Sequence, residues 1–119
     1  MIVAGLGFSS GCTADDIVRM VHMAQARAGC VVGSLAAPGW KQGTPVLHIA
    51  ARHLGLPITF VDADALSAVR SRCPTRSVIA GRKTGVDSVA EGAALAAFGG
   101  RLLMARIAHG SVTCALAGP

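Results

Sequence analysis

The sequence has no tyrosine and few other aromatic residues, with one tryptophan and three phenylalanines among 119 residues. So few rings leave little surface on which nucleic-acid bases could stack. The formal net charge of +5 nevertheless indicates an anionic partner. A small polyanion fits this charge at least as well as a nucleic acid does. We therefore expect no specific nucleic-acid binding, and a nucleic-acid-binding domain is the weaker alternative.

The sequence also lacks any Cys-x-x-Cys pair, because its four cysteines, Cys12, Cys30, Cys73 and Cys114, are widely spread. This spacing predicts no metal site and favours reduced, mostly buried thiols. Cys12 differs from the others because it lies beside a predicted helix N-terminus, where a thiolate is favoured.

No apolar run reaches the roughly 18 residues of a membrane span, and no charged segment opens the sequence as in a signal peptide. We therefore expect a cytoplasmic protein with no membrane partner. The sequence is 52% hydrophobic and only 14% charged, which is typical of a folded chain. This composition and the short length predict a single domain over residues 1–119.

The stretch GLGFSSGCTADD, residues 5–16, joins an apolar run to a helix start through a glycine-containing loop. A dinucleotide loop needs the pattern Gly-x-Gly-x-x-Gly and an acidic residue about 20 positions later. Gly5 and Gly7 fit this pattern, but Gly11 comes one position late, and the acidic residue is missing. We therefore expect no nucleotide cofactor, and the sequence indicates no other cofactor.

Strand and helix signals alternate along most of the chain. Strands are predicted at 2–7, 30–36 and 58–61, and a closing hairpin over 101–117. Helices are predicted between Thr13 and Gly29, between Thr44 and Gly55, from Asp62 to Arg70 and from Ser88 to Gly99 or Gly100. Thr13 and Thr44 are the predicted N-caps of the first two helices. This order predicts a three-layer α/β/α fold with a mainly parallel sheet and a C-terminal antiparallel hairpin. Ligands of such sheets bind outside the carboxyl ends of the strands, where the 7–13 loop is expected.

A basic segment, RSRCPTRSVIAGRK at residues 70–83, holds five of the eleven basic residues and no acid. Guanidinium groups pair with carboxylates through two hydrogen bonds, so the segment suits a ligand that carries several carboxylates. Arg82 and Lys83 are its candidate ligand contacts. They do not belong to a Walker loop, because Arg82 stands where that motif requires glycine.

A second helix start follows this segment, with Ser88 and Glu91 at the Ser-x-x-Glu spacing of a capping box. The 84–88 loop, which includes Gly85, presents backbone N–H groups at a helix N-terminus, as an anion site requires. We expect this loop, the 7–13 loop and the basic segment to line one cleft. Capping is the favoured role of Glu91, and catalysis is its alternative role.

Trp40 and Lys41 lie in the loop APGWKQG, residues 37–43. A tryptophan in such a loop serves as a lid or a binding contact, or it packs as a plug over the sheet, and the sequence leaves both interpretations open. His48 and His53 are five positions apart and so do not share a helix face as metal ligands would.

Residues 84–117, TGVDSVAEGAALAAFGGRLLMARIAHGSVTCALA, closely resemble the signature of the CobE and CbiG C-terminal domain family of cobalamin biosynthesis. That signature is a Gly-Val-x-Ser-Val-Ala-Glu-Ala-Ala-Ala-Leu helix, then a strand, then a terminal Val-Thr-x-Ala-x-Ala strand. The opening GLGFSSGCTADDI and the middle of the chain also fit the family in order and length. The chain looks like the stand-alone CobE type of the aerobic route, since it lacks the long N-terminal region of the CbiG type.

This resemblance implies that the ligand is a corrin or precorrin intermediate, a flat macrocycle with many carboxylates, and that other enzymes of the pathway are partners. Carried over residue by residue, it points to Gly5, Gly7, Gly11, Gly85, Ser88 and Glu91. Ser9 and Ser10 stand where the family often has arginines, and their hydroxyls can bind a carboxylate without charge. Arg106 stands nearest to the position where the family usually has lysine.

Two classes of function follow from the resemblance. In the first, the protein is an accessory factor that binds the intermediate and performs no chemistry. In the second, it is a hydrolase that opens a lactone of the precursor and releases a two-carbon fragment, as the CbiG type does. The first is favoured because the sequence shows no clear base other than Glu91.

Overall fold

The computed structural model describes residues 2–8, 11–69, 89–98, 100–110 and 112–118. Its helices and strands follow the predicted alternation. In chain order they are β1 (Val3–Phe8), α1 (Ala14–Ala28), β2 (Ser34–Pro38), a 3-10 turn (Gly39–Lys41), α2 (Pro45–Leu54), β3 (Ile58–Val61), α3 (Ala63–Ala68), α4 (Val89–Phe98), β4 (Arg101–His109) and β5 (Val112–Gly118).

The five strands form one sheet in the order β3-β2-β1-β5-β4. β1 pairs parallel with β2, and β2 pairs parallel with β3, whereas β5 runs antiparallel to both β1 and β4. Every strand of the sheet except β5 therefore points in the same direction. This arrangement confirms the predicted mainly parallel sheet with a closing antiparallel hairpin. The carboxyl ends of β1, β2, β3 and β4 lie together at one edge, which we call the carboxyl edge.

Helices cover both faces of the sheet, because successive side chains of a strand point to opposite faces. On one face, Leu6 and Phe8 of β1 join the core formed with α1 and α2. On the other face, Val3 of β1 packs with Leu66 of α3 and Ala93 of α4. The predicted three-layer α/β/α fold is therefore confirmed.

Thr13 is the N-cap of helix α1, as predicted, and the structure adds a capping box with Asp16. The Asp16 N–H donates to the Thr13 hydroxyl at 3.1 Å, and the Thr13 N–H donates to an Asp16 carboxylate oxygen at 2.9 Å. These hydrogen bonds hold the pKa of Asp16 below its usual value of 3.8. The cap fixes the first turn of α1 directly after the loop that leaves β1.

We expect Thr13→Ala to lower the free energy of unfolding by about 1 kcal/mol, because the Asp16 N–H loses its acceptor. Since the folded pKa of Asp16 is lowered, its contribution is complete above pH 3.8 and is lost as the pH falls through the folded pKa. Urea unfolding near neutral pH and below pH 3.8 measures both effects. Thr13→Ser keeps the hydroxyl and should match the wild type. An unchanged stability in Thr13→Ala would contradict the capping role.

Helix α2 starts at Pro45 and ends at Leu54, and Gly55 is its C-cap, with a left-handed φ of 71°. Gly29 caps α1 in the same way, with a φ of 69°. Thr44 occupies the N-cap position, but its side chain makes no capping hydrogen bond, so the predicted cap is wrong in this detail. The physical reason is that the Leu47 N–H bonds instead to the Thr44 carbonyl, at 3.3 Å.

Strand β2 begins later than the predicted 30–36 and runs over Ser34–Pro38. The preceding residues are held in a loop, because the Gln25 side-chain oxygen accepts the Val32 N–H at 2.9 Å and the Ile2 carbonyl accepts the Gly33 N–H at 2.8 Å. The strand ends at Pro38, and the 3-10 turn that follows it lies at the carboxyl edge.

Candidate functional site

Four segments meet at the carboxyl edge around the end of β1. The Lys41 ammonium of the 3-10 turn lies 4.6 Å from the centroid of the Phe8 ring. Lys41 and Asp16 both act electrostatically on Cys12, which precedes α1. Asp16 in turn lies within electrostatic reach of His109, at the end of β4. A cation therefore lies over the last residue of β1, and the start of α1 and an imidazole lie at the same edge.

Cys12 is buried, with only 5% of its surface exposed. Burial raises the pKa of its thiol, and the Asp16 carboxylate raises it further, while Lys41 opposes the shift. The expectation of a favoured thiolate at Cys12 is therefore wrong, because desolvation outweighs the helix N-terminus. Burial also raises the pKa of the Cys114 thiol, to about 12. Cys12, Cys30 and Cys114 are all free thiols.

Helix α4 lies directly against β1 at two glycines. A Cβ on Gly5 would collide with the Ala90 carbonyl oxygen and would lie 2.6 Å from the Ala94 nitrogen. A Cβ on Gly7 would lie 2.6 Å from the Thr113 hydroxyl, which donates to the Gly7 carbonyl at 3.2 Å. These glycines let the first turn of α4 approach the carboxyl end of β1. They have this packing role, and ligand contact by either of them stays a prediction.

Glu91 is fully buried in the first turn of α4. One of its carboxyl oxygens accepts the backbone N–H of Arg106 at 2.8 Å. Arg106 belongs to an irregular part of β4, where the pairing register shifts between Met104 and Ile107. Glu91 therefore ties α4 to the irregular part of the edge strand. Ser88, its predicted partner in a capping box, lies outside the described residues.

Of the other predicted ligand contacts, the structure describes only Gly11. Gly11 is exposed, and a Cβ there would meet nothing within 4 Å. Ser9, Ser10, Arg82, Lys83, Gly85 and Ser88 lie outside the described residues. The single cleft expected from the two loops and the basic segment therefore stays a prediction.

Sequence reasoning missed two residues that organise this edge. Phe8 falls just beyond the predicted strand 2–7, yet its ring makes a cation–π contact with the Lys41 ammonium. Thr113 holds the carbonyl of Gly7 although the two residues are 106 positions apart. No local pattern joins such distant residues, and only the pairing of β5 with β1 brings them together. β5 also pairs with β4, which places His109 opposite Val112 at the same edge.

The described residues contain neither a metal cluster nor a membrane-spanning helix. Within these ranges no three His, Cys, Asp or Glu side chains gather in a way that would hold a metal ion. No helix in the described part of the chain is long and apolar enough to cross a membrane.

The fold and this edge together define an α/β/α domain with a mainly parallel sheet and a cation, Lys41, at the carboxyl edge. The family described as Cobalamin synthesis G C-terminus matches residues 2–117. The chain belongs to this family, which confirms the resemblance seen in the sequence. It is a protein of the cobalamin biosynthesis pathway, of the type formed by CobE and the C-terminal domain of CbiG.

Individual relatives agree with this assignment. Protein CobE from Sinorhizobium sp is 36% identical over 123 residues, which cover 99% of this chain and 80% of that protein. A solved structure of CobE, from the cobalamin biosynthetic pathway, has a TM-score of 0.90 and 32% identity, covering 98% of this chain and 89% of its own. The cobalamin biosynthesis protein chiG from Agrobacterium tumefaciens has a TM-score of 0.80 and 35% identity, with 98% and 97% coverage.

Proposed function

We propose that this protein binds a polycarboxylate tetrapyrrole intermediate of cobalamin biosynthesis at the carboxyl edge, as an accessory factor without turnover. One observation carries the proposal, which is that Lys41 on one face of the sheet and the first turn of α4 on the other face flank the end of β1, while His109 ends β4 at the same edge. An ammonium, an imidazole and the backbone N–H groups of a helix start are all groups that bind carboxylates. Membership of a cobalamin synthesis family supports a tetrapyrrole intermediate as the ligand.

The position of Lys41 supports this role. Its ammonium rests over the Phe8 ring, so it is held at the edge by a cation–π contact while its remaining hydrogen-bond donors stay available for an anion. The net charge of +5 attracts a polyanion from a distance, and salt screens this attraction. The small number of aromatic residues argues against nucleic acid as the ligand.

The state of Glu91 favours binding over hydrolysis. A general base must reach a water molecule next to the substrate, whereas the Glu91 side chain is fully buried and bonded to the Arg106 N–H. Its contacts give it a structural role between α4 and β4. We also propose that other enzymes of the pathway receive the bound intermediate, and that the protein acts in the cytoplasm.

Calorimetric titration with cobyrinic acid, a corrin polycarboxylate, tests this function. We expect the wild type to bind it, and we expect Lys41→Met to bind about tenfold more weakly because one charged pair is lost. Arg27→Met is the matched control, since Arg27 lies in the last turn of α1, away from the carboxyl edge. This control should bind like the wild type, and raising the salt concentration should weaken binding by the wild type.

Two outcomes would contradict the proposal. A wild type that shows no heat of binding and no change in the corrin absorption spectrum would exclude this ligand class. Equal losses in Lys41→Met and Arg27→Met would show that overall charge, and not the carboxyl edge, attracts the corrin.

A further inference from the structure

Trp40 is the only tryptophan of the chain, and it lies in the 3-10 turn directly after β2, at the carboxyl edge. About half of its surface is open, with 51% exposed. Its neighbour Lys41 belongs to the cluster around the end of β1. A large apolar ring is therefore exposed beside the cation of the candidate site.

The turn that carries Trp40 is held by other groups. The Gln42 N–H donates to the Gly39 carbonyl at 3.1 Å, and a ring nitrogen of His48 lies 2.7 Å from the Gln42 carbonyl oxygen. The Lys41 ammonium also contacts the Phe8 ring of β1. Within the described part of the chain, the indole itself makes no hydrogen bond, ring contact or cation contact. Trp40 is thus presented by a braced turn that does not depend on its side chain.

We infer that the face of Trp40 stacks against the conjugated ring of the tetrapyrrole, and that its indole N–H donates to a carboxylate at the rim of that ring. This assignment rests on the proposed function and names the residue that selects a macrocycle. Flat conjugated surfaces prefer offset stacking on aromatic rings, and the indole N–H is a donor in need of an acceptor. Lys41 attracts any carboxylate, whereas an indole face gains contact only from a flat ligand.

The experiment compares two probes, cobyrinic acid and tricarballylate, which is an acyclic polycarboxylate without a ring. Because the chain has one tryptophan and no tyrosine, its fluorescence reports on Trp40 alone. Cobyrinic acid should quench this fluorescence, and tricarballylate should not. A parallel titration of free N-acetyltryptophanamide corrects for the light that cobyrinic acid itself absorbs. By calorimetry, Trp40→Ala should weaken cobyrinic acid binding about tenfold and leave tricarballylate binding unchanged.

Two further variants make the test specific. Trp40→Phe keeps a flat ring but loses the N–H, so its affinity for cobyrinic acid should lie between those of the wild type and Trp40→Ala. Ile49→Ala removes an equally exposed apolar side chain from α2, with 55% of its surface open, and should change nothing. Circular dichroism verifies that each variant is folded.

The failure of this inference is distinguishable from the failure of the proposed function. If Trp40→Ala binds cobyrinic acid as tightly as the wild type does, Trp40 is not the stacking contact, although the protein still binds corrins. If Trp40→Ala weakens both probes equally, the indole acts on the shape of the turn and not on the ring of the ligand, which also overturns the inference. A wild type that binds no cobyrinic acid overturns both proposals.

Discussion

Replacing Gly5 with alanine is expected to lower the free energy of unfolding by about 3 kcal/mol. The added Cβ would collide with the Ala90 carbonyl oxygen and crowd the Ala94 nitrogen. Both are backbone atoms of α4, so no side-chain rotation relieves the clash, and the helix must move away from β1. That movement opens the core on this face of the sheet, which costs further packing energy. Urea unfolding followed by circular dichroism measures the loss.

Two other glycines provide the controls. Gly7→Ala meets the Thr113 hydroxyl, which can rotate at the cost of its hydrogen bond to Gly7, so we expect a smaller loss of about 1 kcal/mol. Gly43→Ala meets nothing within 4 Å and should leave the stability close to that of the wild type. If Gly5→Ala were as stable as Gly43→Ala, the close approach of α4 to β1 at Gly5 would be contradicted.

The second large effect is expected at Glu91, where substitution by alanine should also cost about 3 kcal/mol. The change removes the acceptor of the partly buried Arg106 N–H and leaves a cavity in the first turn of α4. Glu91→Gln keeps an acceptor oxygen and nearly the same volume, so it should lose much less stability. Thermal and urea unfolding of the two variants measure the difference. A Glu91→Ala variant as stable as the wild type would show that this hydrogen bond does not hold α4 to β4.

The same variant separates a structural Glu91 from a catalytic one. If Glu91 is structural, folded Glu91→Gln should bind cobyrinic acid like the wild type. Incubating the wild type with a lactone-bearing corrin precursor and assaying acetaldehyde tests the alternative hydrolase function. Catalytic release by the wild type, abolished in a folded Glu91→Gln, would overturn the binding-only function and make Glu91 the base.

The site was predictable only in part, because its residues come from four segments that are far apart in the sequence. Glycine spacing drew attention to Gly5 and Gly7 as ligand contacts, which stays a prediction, and it did not reveal that α4 packs closely against both. The Ser-x-x-Glu spacing indicated that Glu91 caps its own helix. A local spacing cannot show that Glu91 accepts the Arg106 N–H, fifteen positions away. The helix N-terminus next to Cys12 favours a thiolate, and a local pattern does not show the burial that raises the pKa of this thiol.

The sequence by itself determined the class of fold, because the period of its apolar residues and its helix-ending glycines act within a few positions of the chain. It also determined the family, through a signature that runs over residues 84–117. Only the tertiary structure decided which groups share the carboxyl edge. The pairing of β5 with both β1 and β4 brings Thr113 beside Gly7 and places His109 at the same edge. The parallel pairing of β2 with β1 brings Lys41, which follows β2, beside the Phe8 ring. These contacts depend on strand order and register, which separate segments of the chain settle jointly when they pack.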